Sequence, residues 1–168
     1  MSLILRELPR EPFHVETQSY SSLRPWNYPL ALSFLSLVGA IAAGCTWVLK
    51  SSEYSPTFSA LITHLIPKYL DPDAYAVVNG ASPETTRLLE LRWDHIIYTG
   101  GNRVGRIVAA AAAKHITPVT LELGGKSPVF IDASNTDLEI AAKRVLWGKI
   151  QNAGQVSCAF FLALLKRY

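Results

Sequence analysis

The chain has 168 residues, which is enough for one domain with a single buried core. Hydrophobic residues make up 49% of it and charged residues 17%, a balance that excludes an intrinsically disordered protein. The net charge of +3 comes from 16 basic and 13 acidic residues, which are scattered along the chain, so we expect no nucleic acid partner.

The first 22 residues show no clear periodicity. They carry Pro9, Pro12, mixed charges and a cluster of serine and threonine over residues 17–22. Such a composition is typical of an arm, and we expect this segment to be disordered.

Residues 29–49 carry no charge and are long enough to span a bilayer. The alternative divides them into a buried helix over residues 30–43 and a buried strand over residues 45–49, with Gly44 as the stop between them. Ser33, Ser36 and the β-favouring run Thr-Trp-Val-Leu support the division. We favour the helix and strand, and keep a membrane protein as the less favoured hypothesis.

Apolar runs and glycine or proline turns alternate through the rest of the chain. The predicted helices cover residues 55–70, 82–92, 102–115 and 136–151, and the predicted strands cover residues 74–78, 95–98, 119–123 and 127–131. Thr136 to Glu139 matches a capping box at the start of the last helix. Regular alternation of strands and helices predicts an α/β fold, a Rossmann-like parallel sheet with helices on both faces.

Histidine and cysteine give no sign of a metal site. The four histidines and two cysteines, Cys45 and Cys158, lack the spacing of metal ligands. Two distant cysteines do not form a disulfide framework, which favours a reducing compartment, and we expect a cytoplasmic protein. No basic segment followed by an apolar block marks the N-terminus as a signal peptide.

Ligands of an open parallel sheet bind beyond the carboxyl ends of its strands. The stretch YTGGNRVGR follows a predicted strand and opens a helix, whose first N–H groups favour a phosphate. The glycine spacing fits neither a dinucleotide fingerprint nor a P-loop, and a tight turn explains it equally well. In WVLKSSE, Lys50 and Glu53 follow a strand and could bind ribose hydroxyls, although solvated turn charges are the commoner explanation.

Two further polar residues could take part in catalysis. Glu122 lies in the apolar strand of LELGGKS. It is either a general base, a residue on the exposed face of an edge strand, or the partner of Lys126 in a salt bridge. Asn27 in RPWNYP could donate to an oxyanion, or serve only the turn before Pro29.

Taken in order, the segments PWNYP, VLKSSE, PETTRLLELRWDHIIYTGGNRVGRIVAAAAAKHITPVTLELGGKSPVFID and WGKIQNAGQ resemble the aldehyde dehydrogenase superfamily. The class-3 or fatty aldehyde branch is the most similar, LELGGKSP is the most specific signature, and the likeness covers residues 25–156. The resemblance implies an oxidoreductase that converts an aldehyde, of medium or long chain in this branch, to a carboxylic acid with NAD or NADP as cofactor.

The resemblance also implies roles for single residues. In the family a cysteine thiolate attacks the aldehyde, hydride passes to the nicotinamide, and water activated by a glutamate releases the acid. Glu122 matches that general base, Asn27 the oxyanion-stabilising asparagine, Lys50 and Glu53 the contacts to the adenosine ribose, and Gly80 a turn near the adenine. The residues implied to hold the rest of the nucleotide are Pro25, Trp26, Thr99, Gly100, Gly101, Val104, Gly105, Leu123 and Gly124.

The chain departs from the family pattern in several places. The pattern Asn-x-Gly-Gln-x-Cys places the nucleophile at position 157, where this chain has Ser157 with Cys158 one residue later. A shift of one residue turns a side chain away from its site. The tail over residues 157–168 does not resemble the family's continuation, TQSYSSLR replaces the apolar strand before PWNYP, and Ser51 stands where proline is common.

These departures predict a truncated member of the family with three parts. They are an arm over residues 1–22, a partial NAD(P)-binding domain over residues 23–156 and an aberrant tail over residues 157–168. We expect such a chain to be weakly active or inactive alone. The alternative is a catalytically dead nucleotide-binding or dimerising fragment that associates with a full-length homologue through its unfinished sheet.

Overall fold

A computed structural model describes residues 19–157 in full and the backbone of residues 160–166. The strands are β1 (Ser19–Leu23), β2 (Thr46–Lys50), β3 (Tyr75–Val78), β4 (His95–Gly100), β5 (Val119–Leu123), β6 (Ser127–Asp132) and β7 (Phe160–Lys166). The helices are α1 (Pro29–Ala42), α2 (Pro56–Tyr69), α3 (Ser82–Leu89), α4 (Asn102–Ala113) and α5 (Leu138–Ile150). The chain forms two compact units, the first ending at Glu122 and the second beginning at Leu123.

The first unit contains a five-stranded sheet of order β3-β2-β1-β4-β5. β1 is its central strand and pairs in parallel with β2, where Ser19 lies opposite Thr46, and with β4, where Tyr20 lies opposite His95. β2 pairs in parallel with β3. The chain thus builds outward from β1 to β3 and then crosses to β4 on the other side, which creates a topological switch point between β1 and β4. The predicted Rossmann-like α/β fold is confirmed.

The position of β1 corrects one expectation. The sequence predicts a disordered arm up to residue 22, yet Ser19–Leu23 is the middle strand of the sheet. Backbone pairing on both sides compensates for the missing apolar alternation, and the small side chains of Ser21 and Ser22 are buried without crowding. Residues 1–18 lie outside the described residues.

Apolar clusters cover both faces of this sheet. One cluster joins β1, β2, β3 and β4 to α3 and α4 through Val48, Leu88, Ile96 and Val108, among others. The other joins β2 and β3 to α1 and α2 and has the buried Trp47 near its centre. Val48 and Trp47 belong to different clusters because consecutive strand residues point to opposite faces. Helices therefore lie on both faces, as the alternating pattern predicts.

The uncharged stretch over residues 29–49 is a helix followed by a strand. Gly44 adopts φ +67° after α1, and the N–H of Cys45 donates to the carbonyl of Ala40 at 2.8 Å, as at a Schellman helix end. In the described part of the chain, no helix is long and apolar enough to cross a membrane.

The second unit contains a two-stranded parallel sheet of β6 and β7 together with α5. The N-terminal cap of α5 is Asp137, whose carboxylate accepts the N–H groups of Glu139 and Ile140, so the expected cap at Thr136 is wrong by one residue. β7 lies inside the predicted aberrant tail, and its backbone pairs in parallel with β6, with a register shift between Ser127 and Pro128.

Candidate functional site

A cavity of about 290 Å³ opens at the carboxyl ends of β2 and β3, beside the first turns of α2. It is lined by Ser51, Ser52, Glu53, Pro56, Ser59, Ala60, Asn79 and Gly80. Parallel strands end at one edge of the sheet, which is where an open α/β fold binds ligands. Two of the predicted cofactor residues, Glu53 and Gly80, thus meet at one cavity although 27 positions separate them in the sequence.

Lys50 and Glu53 form an ion pair beside this cavity. The Nζ atom of Lys50 lies 3.0 Å from Oε2 of Glu53, with the lysine side chain 8% exposed and the glutamate 44% exposed. The pKa of Glu53 is lowered by a hydrogen bond from its own backbone N–H and by Lys50, against a smaller opposing effect of burial. Glu53 therefore contributes an ionised carboxylate to the lining of the cavity.

Position 80 has a backbone conformation that favours glycine. Its φ of +133° is rarely adopted by other residues, and a Cβ atom there would collide with the side chain of Glu84. That side chain accepts the N–H of Ala81 at 2.8 Å and so caps the start of α3. A glycine is needed at this wall of the cavity.

A network of hydroxyl and amide groups forms the floor of the cavity, and the sequence analysis missed it. Ser51 Oγ donates to Ser59 Oγ at 2.8 Å and lies 3.3 Å from the Oδ1 acceptor of Asn79. Asn79 Nδ2 donates to Thr63 Oγ1 at 2.8 Å. These bonds fix the polar groups of β2, α2 and the residue after β3 relative to one another. The one available signal was Ser51 itself, which the sequence analysis noted only as a departure from the pattern that the chain resembles.

The turn from β4 into α4 holds five predicted cofactor residues, namely Thr99, Gly100, Gly101, Val104 and Gly105. A Cβ atom at Gly100 would collide with the hydroxyl of Tyr98, which donates to the carbonyl of Gly101 at 3.2 Å. Gly101 is the N-terminal cap of α4, with the N–H of Gly105 donating to its carbonyl at 3.0 Å. The free N–H groups of this helix start are suited to an anion.

The segment between β1 and α1 holds Pro25, Trp26 and Asn27. Trp26 is 49% exposed, and its carbonyl accepts the hydroxyl of Ser55 at 3.4 Å, which ties the segment to the start of α2. Asn27 directly precedes Tyr28, the N-terminal cap of α1. These residues follow the central strand, at the same sheet edge as the cavity and the α4 turn.

Arg24 immediately follows β1 and was not among the predicted site residues. Its Nε donates to Ser22 Oγ at 2.6 Å and its Nη1 to Thr99 Oγ1 at 3.1 Å. Burial lowers the pKa of Arg24 to about 10, while the carboxylate of Glu122 acts in the opposite direction. Arg24 is thus joined to Thr99 by a hydrogen bond and to Glu122 by a longer-range electrostatic attraction.

The predicted catalytic residues Asn27, Glu122 and Cys158 come from separate segments of the chain. Glu122 is exposed on β5 in the first unit, and its negative charge raises the pKa of Arg24 in opposition to burial. Leu123 and Gly124 begin the second unit, where both are exposed. Ser157 is exposed in a turn, and Cys158 lies outside the described residues. Across the described residues, no group of three or more His, Cys, Asp or Glu side chains could hold a metal ion.

One known family matches most of the chain. The model of the aldehyde dehydrogenase family matches residues 19–167. The chain belongs to the aldehyde dehydrogenase family. The match includes Ser19–Leu23, in agreement with the structural correction, and extends over most of the tail that the sequence analysis treated as aberrant.

Curated relatives support the same conclusion. Over 134 residues the chain is 56% identical to mouse aldehyde dehydrogenase family 3 member A2 and covers 80% of itself and 28% of that protein. It is 55% identical to the mouse dimeric NADP-preferring aldehyde dehydrogenase over the same length, which is 29% of that protein. The predicted likeness to the class-3 and fatty aldehyde branch is confirmed, and the chain spans less than a third of these relatives.

Solved aldehyde dehydrogenases have the same fold. The substrate-bound state of Staphylococcus aureus AldH matches with a TM-score of 0.83 and 38% identity, over 90% of this chain and 33% of that one. A mutant of Pseudomonas syringae aldehyde dehydrogenase C, in complex with NAD+ and octanal, matches with a TM-score of 0.81 and 37% identity, over 89% of this chain and 31% of that one.

Proposed function

We propose that this chain is the nucleotide-binding part of an aldehyde dehydrogenase that uses NAD or NADP to oxidise an aldehyde to a carboxylic acid. The observation that carries the proposal is the cavity at the ends of β2 and β3, which is lined in part by Glu53, the ion-pair partner of Lys50. Its size and mixed lining suit an adenosine moiety. Names of relatives add support, since one is NADP-preferring and another was solved with NAD+ and octanal.

The residues at this sheet edge have distinct proposed roles. Lys50 and Glu53 hydrogen-bond the ribose hydroxyls, and the Gly80 turn leaves room for the base. The helix start after Thr99 to Gly101 receives the pyrophosphate, while Pro25, Trp26 and Val104 line the remaining path. For Leu123 and Gly124, the first residues of the second unit, a cofactor role rests on the family resemblance alone. When bound, the nicotinamide accepts the hydride from the substrate.

Proposed catalysis needs three further groups. Asn27 donates to the oxyanion that forms at the aldehyde carbon, and Glu122 removes a proton from the attacking water. Cys158 is the nucleophile in this proposal, one residue beyond the family's position, which Ser157 occupies. Because that displacement disturbs the geometry of attack, we propose that the 168-residue chain turns over weakly or not at all alone.

Nucleotide binding and turnover can be tested separately. Titration calorimetry of the full chain with NAD+ should show binding that Lys50→Met weakens about tenfold or more, because the ribose hydrogen bonds and the Glu53 partner are lost. Lys143→Met is the control, since Lys143 forms an exposed ion pair with Glu139. Absence of NAD+ binding, or equal binding by Lys50→Met, would contradict the proposal.

Turnover is followed as NADH absorbance with octanal as the aldehyde. A chain that binds NAD+ without forming NADH fits the weak or inactive form. Robust NADH formation would show that Cys158 or Ser157 is competent, and Glu122→Gln and Asn27→Ala should then abolish it. Robust turnover would thus contradict the proposal that the 168-residue chain is weakly active or inactive alone, and would support the proposal that it oxidises an aldehyde.

A second candidate is a dimerising fragment that associates with a full-length homologue. A relative named as dimeric supports it, as do the five large apolar side chains exposed on α1. Co-purification of the tagged chain with a full-length family 3 enzyme should reveal the association. Recovery of the chain alone at concentrations well above those of the cell would exclude this candidate.

A further inference from the structure

Arg24 occupies the switch point of the sheet. Its backbone N–H donates to the carbonyl of Lys50 at 3.1 Å, so the residue continues the pairing of β1 with β2. Its side chain reaches the other way, to Thr99 at the end of β4. The guanidinium therefore bridges the ends of β1 and β4, the two strands between which the chain order reverses.

Among the residues that the structure describes, no carboxylate forms an ion pair with the positive charge of Arg24. Lys50 pairs with Glu53 and Lys143 pairs with Glu139, and Arg24 takes part in neither pair. Its pKa is lowered chiefly by burial, which the more distant charge of Glu122 offsets only in part. A half-buried cation without a close anion is unfavourable, and a bound anion would relieve that penalty.

The geometry of the guanidinium selects among anions. An arginine has five N–H donors in a planar fork, and two of them are used by Ser22 and Thr99. Those two bonds hold the fork in place, which reduces the entropy lost when a ligand binds. The remaining donors and the N–H groups at the start of α4, two residues beyond Gly100, suit a phosphate-type ligand with several acceptor oxygens.

We propose that Arg24 binds the pyrophosphate of the dinucleotide and is an additional cofactor-binding residue of this chain. The proposal rests on the proposed function, because a dinucleotide must occupy this sheet edge. It assigns the adenosine to the Lys50–Glu53 cavity and the phosphates to the β1–β4 switch point. Thr99, through its bond to Arg24, is a positioning residue for the guanidinium.

The test measures binding of the pyrophosphate and adenosine parts of the cofactor separately. The full chain is titrated with inorganic pyrophosphate, adenosine and NAD+, as wild type, Arg24→Gln and Arg24→Lys. Arg144→Gln is the matched control, because Arg144 is exposed on α5 in the second unit. Circular dichroism establishes whether each variant is folded.

We expect Arg24→Gln to weaken pyrophosphate and NAD+ about 10- to 100-fold, the range for a charge-assisted hydrogen bond. Adenosine binding should not change. The affinity of Arg24→Lys for pyrophosphate should lie between those of the wild type and Arg24→Gln, because lysine retains the positive charge and lacks the planar fork of N–H donors. If Arg24→Gln does not fold, Arg24→Lys carries the test, with a several-fold loss expected for pyrophosphate and none for adenosine.

Three results would overturn the inference or its basis. Folded variants that bind pyrophosphate and NAD+ as the wild type does would contradict the role of Arg24 and leave the proposed function intact. A folded variant that loses adenosine as well would indicate a general structural role and contradict phosphate contact. A wild type that binds pyrophosphate through Arg24 but neither adenosine nor NAD+ would refute the proposed function and retain the anion site.

Discussion

Two neighbouring buried serines of β1 differ in their side-chain hydrogen bonds. Ser21 and Ser22 are 1% and 0% exposed. Ser22 Oγ accepts the Nε–H of Arg24 and lies 3.2 Å from Ser36 Oγ, whereas Ser21 Oγ has no hydrogen-bond partner among the described residues. A buried hydroxyl without a partner is destabilising, so the two positions should respond differently to the same substitution.

We predict that Ser22→Ala lowers the free energy of unfolding by about 1–3 kcal/mol, because it leaves Arg24 short of an acceptor. Ser21→Ala should leave that free energy unchanged or raise it by up to about 1 kcal/mol, since it removes an unpartnered polar group. Urea unfolding followed by circular dichroism measures both variants. Equal destabilisation by the two substitutions would contradict the assigned hydrogen bonds.

Glu53 should influence the choice between the two cofactors. Its own backbone N–H and Lys50 lower the pKa of the carboxyl group, which is ionised at neutral pH and lines the cavity. An ionised carboxylate repels the additional phosphate that NADP carries on the adenosine ribose. Glu53→Gln should therefore raise the affinity for NADP+ relative to NAD+ by about tenfold.

The measurement is a pair of calorimetric titrations, one with each dinucleotide. Glu139→Gln is the control, because Glu139 also pairs with a lysine but lies on α5. An unchanged ratio of the two affinities in Glu53→Gln would show that the ribose does not contact this carboxylate.

At the scale of whole elements, the end of α1 depends on one backbone conformation. Gly44 adopts φ +67°, and nothing lies within 4 Å of the position that a Cβ atom would take. Gly39 has equal space but lies inside the helix. Gly44→Ala should lower the free energy of unfolding by about 1–2 kcal/mol through backbone strain alone, and Gly39→Ala should raise it by about 0.5–1 kcal/mol.

Thermal unfolding of these two variants decides the point, because the substitution is the same and only the backbone conformation differs. A stabilised Gly44→Ala variant would contradict the left-handed end of α1. A destabilised Gly39→Ala variant would contradict the open space beside that position.

Asp94 links β1 to the segment before β4. Its carboxylate accepts the backbone N–H and the hydroxyl of Ser19, each at 2.8 Å. These bonds, the backbone N–H first, lower the pKa of Asp94 below its ordinary value of 3.8. A lowered pKa in the folded state means that the stabilisation is complete above that ordinary value and is lost as the pH falls through the folded pKa.

Asp94→Asn should therefore lower the free energy of unfolding by about 1 kcal/mol at neutral pH, a modest effect because the side chain is exposed to solvent. The difference from wild type should vanish in acid, where both side chains are neutral. Urea unfolding across the acidic range measures it, with Asp73→Asn as the control for an exposed turn aspartate. A difference that persists in acid would show that the charge on Asp94 is irrelevant.

Most elements could be predicted because their sequences carry local signals. Pro56 and Pro83 mark helix starts, Gly44 marks a helix end, and the run from Val119 to Leu123 has the length and β-branched content of a strand. β1 could not be predicted in this way. Its serines lack apolar alternation, and its stability comes from pairing with β2 and β4, partners that are distant in the sequence.

The same limit explains which site residues could be predicted. Lys50, Glu53 and Thr99 follow recognisable strands and belong to motifs that resemble the family. Arg24 follows the unrecognised strand, so no local pattern marked its place at the switch point. The Ser51–Ser59 hydrogen bond likewise exists only because β2 turns directly into α2.

At the scale of the whole molecule, the first unit exposes an apolar helix face. The large apolar side chains exposed on α1 are Leu30, Phe34, Leu35, Val38 and Ile41. Their spacing of mostly three or four residues places them on one side of the helix. A contiguous apolar face of this kind promotes association in water, and the relatives are more than three times as long as the segment they share with this chain.

We predict that the chain self-associates through α1 and that Leu35→Gln combined with Val38→Gln shifts it towards monomer. The reason is that these two residues are 71% and 62% exposed, so polar replacement removes apolar area without opening the core. Sedimentation velocity over a range of concentrations measures the change, and an unchanged affinity for NAD+ shows that the fold is intact. The control combines Leu61→Gln and Ile107→Gln, which remove exposed apolar side chains from α2 and α4. An equal shift in the control would indicate general hydrophobicity instead of a defined face, and no shift in either pair would refute association through α1.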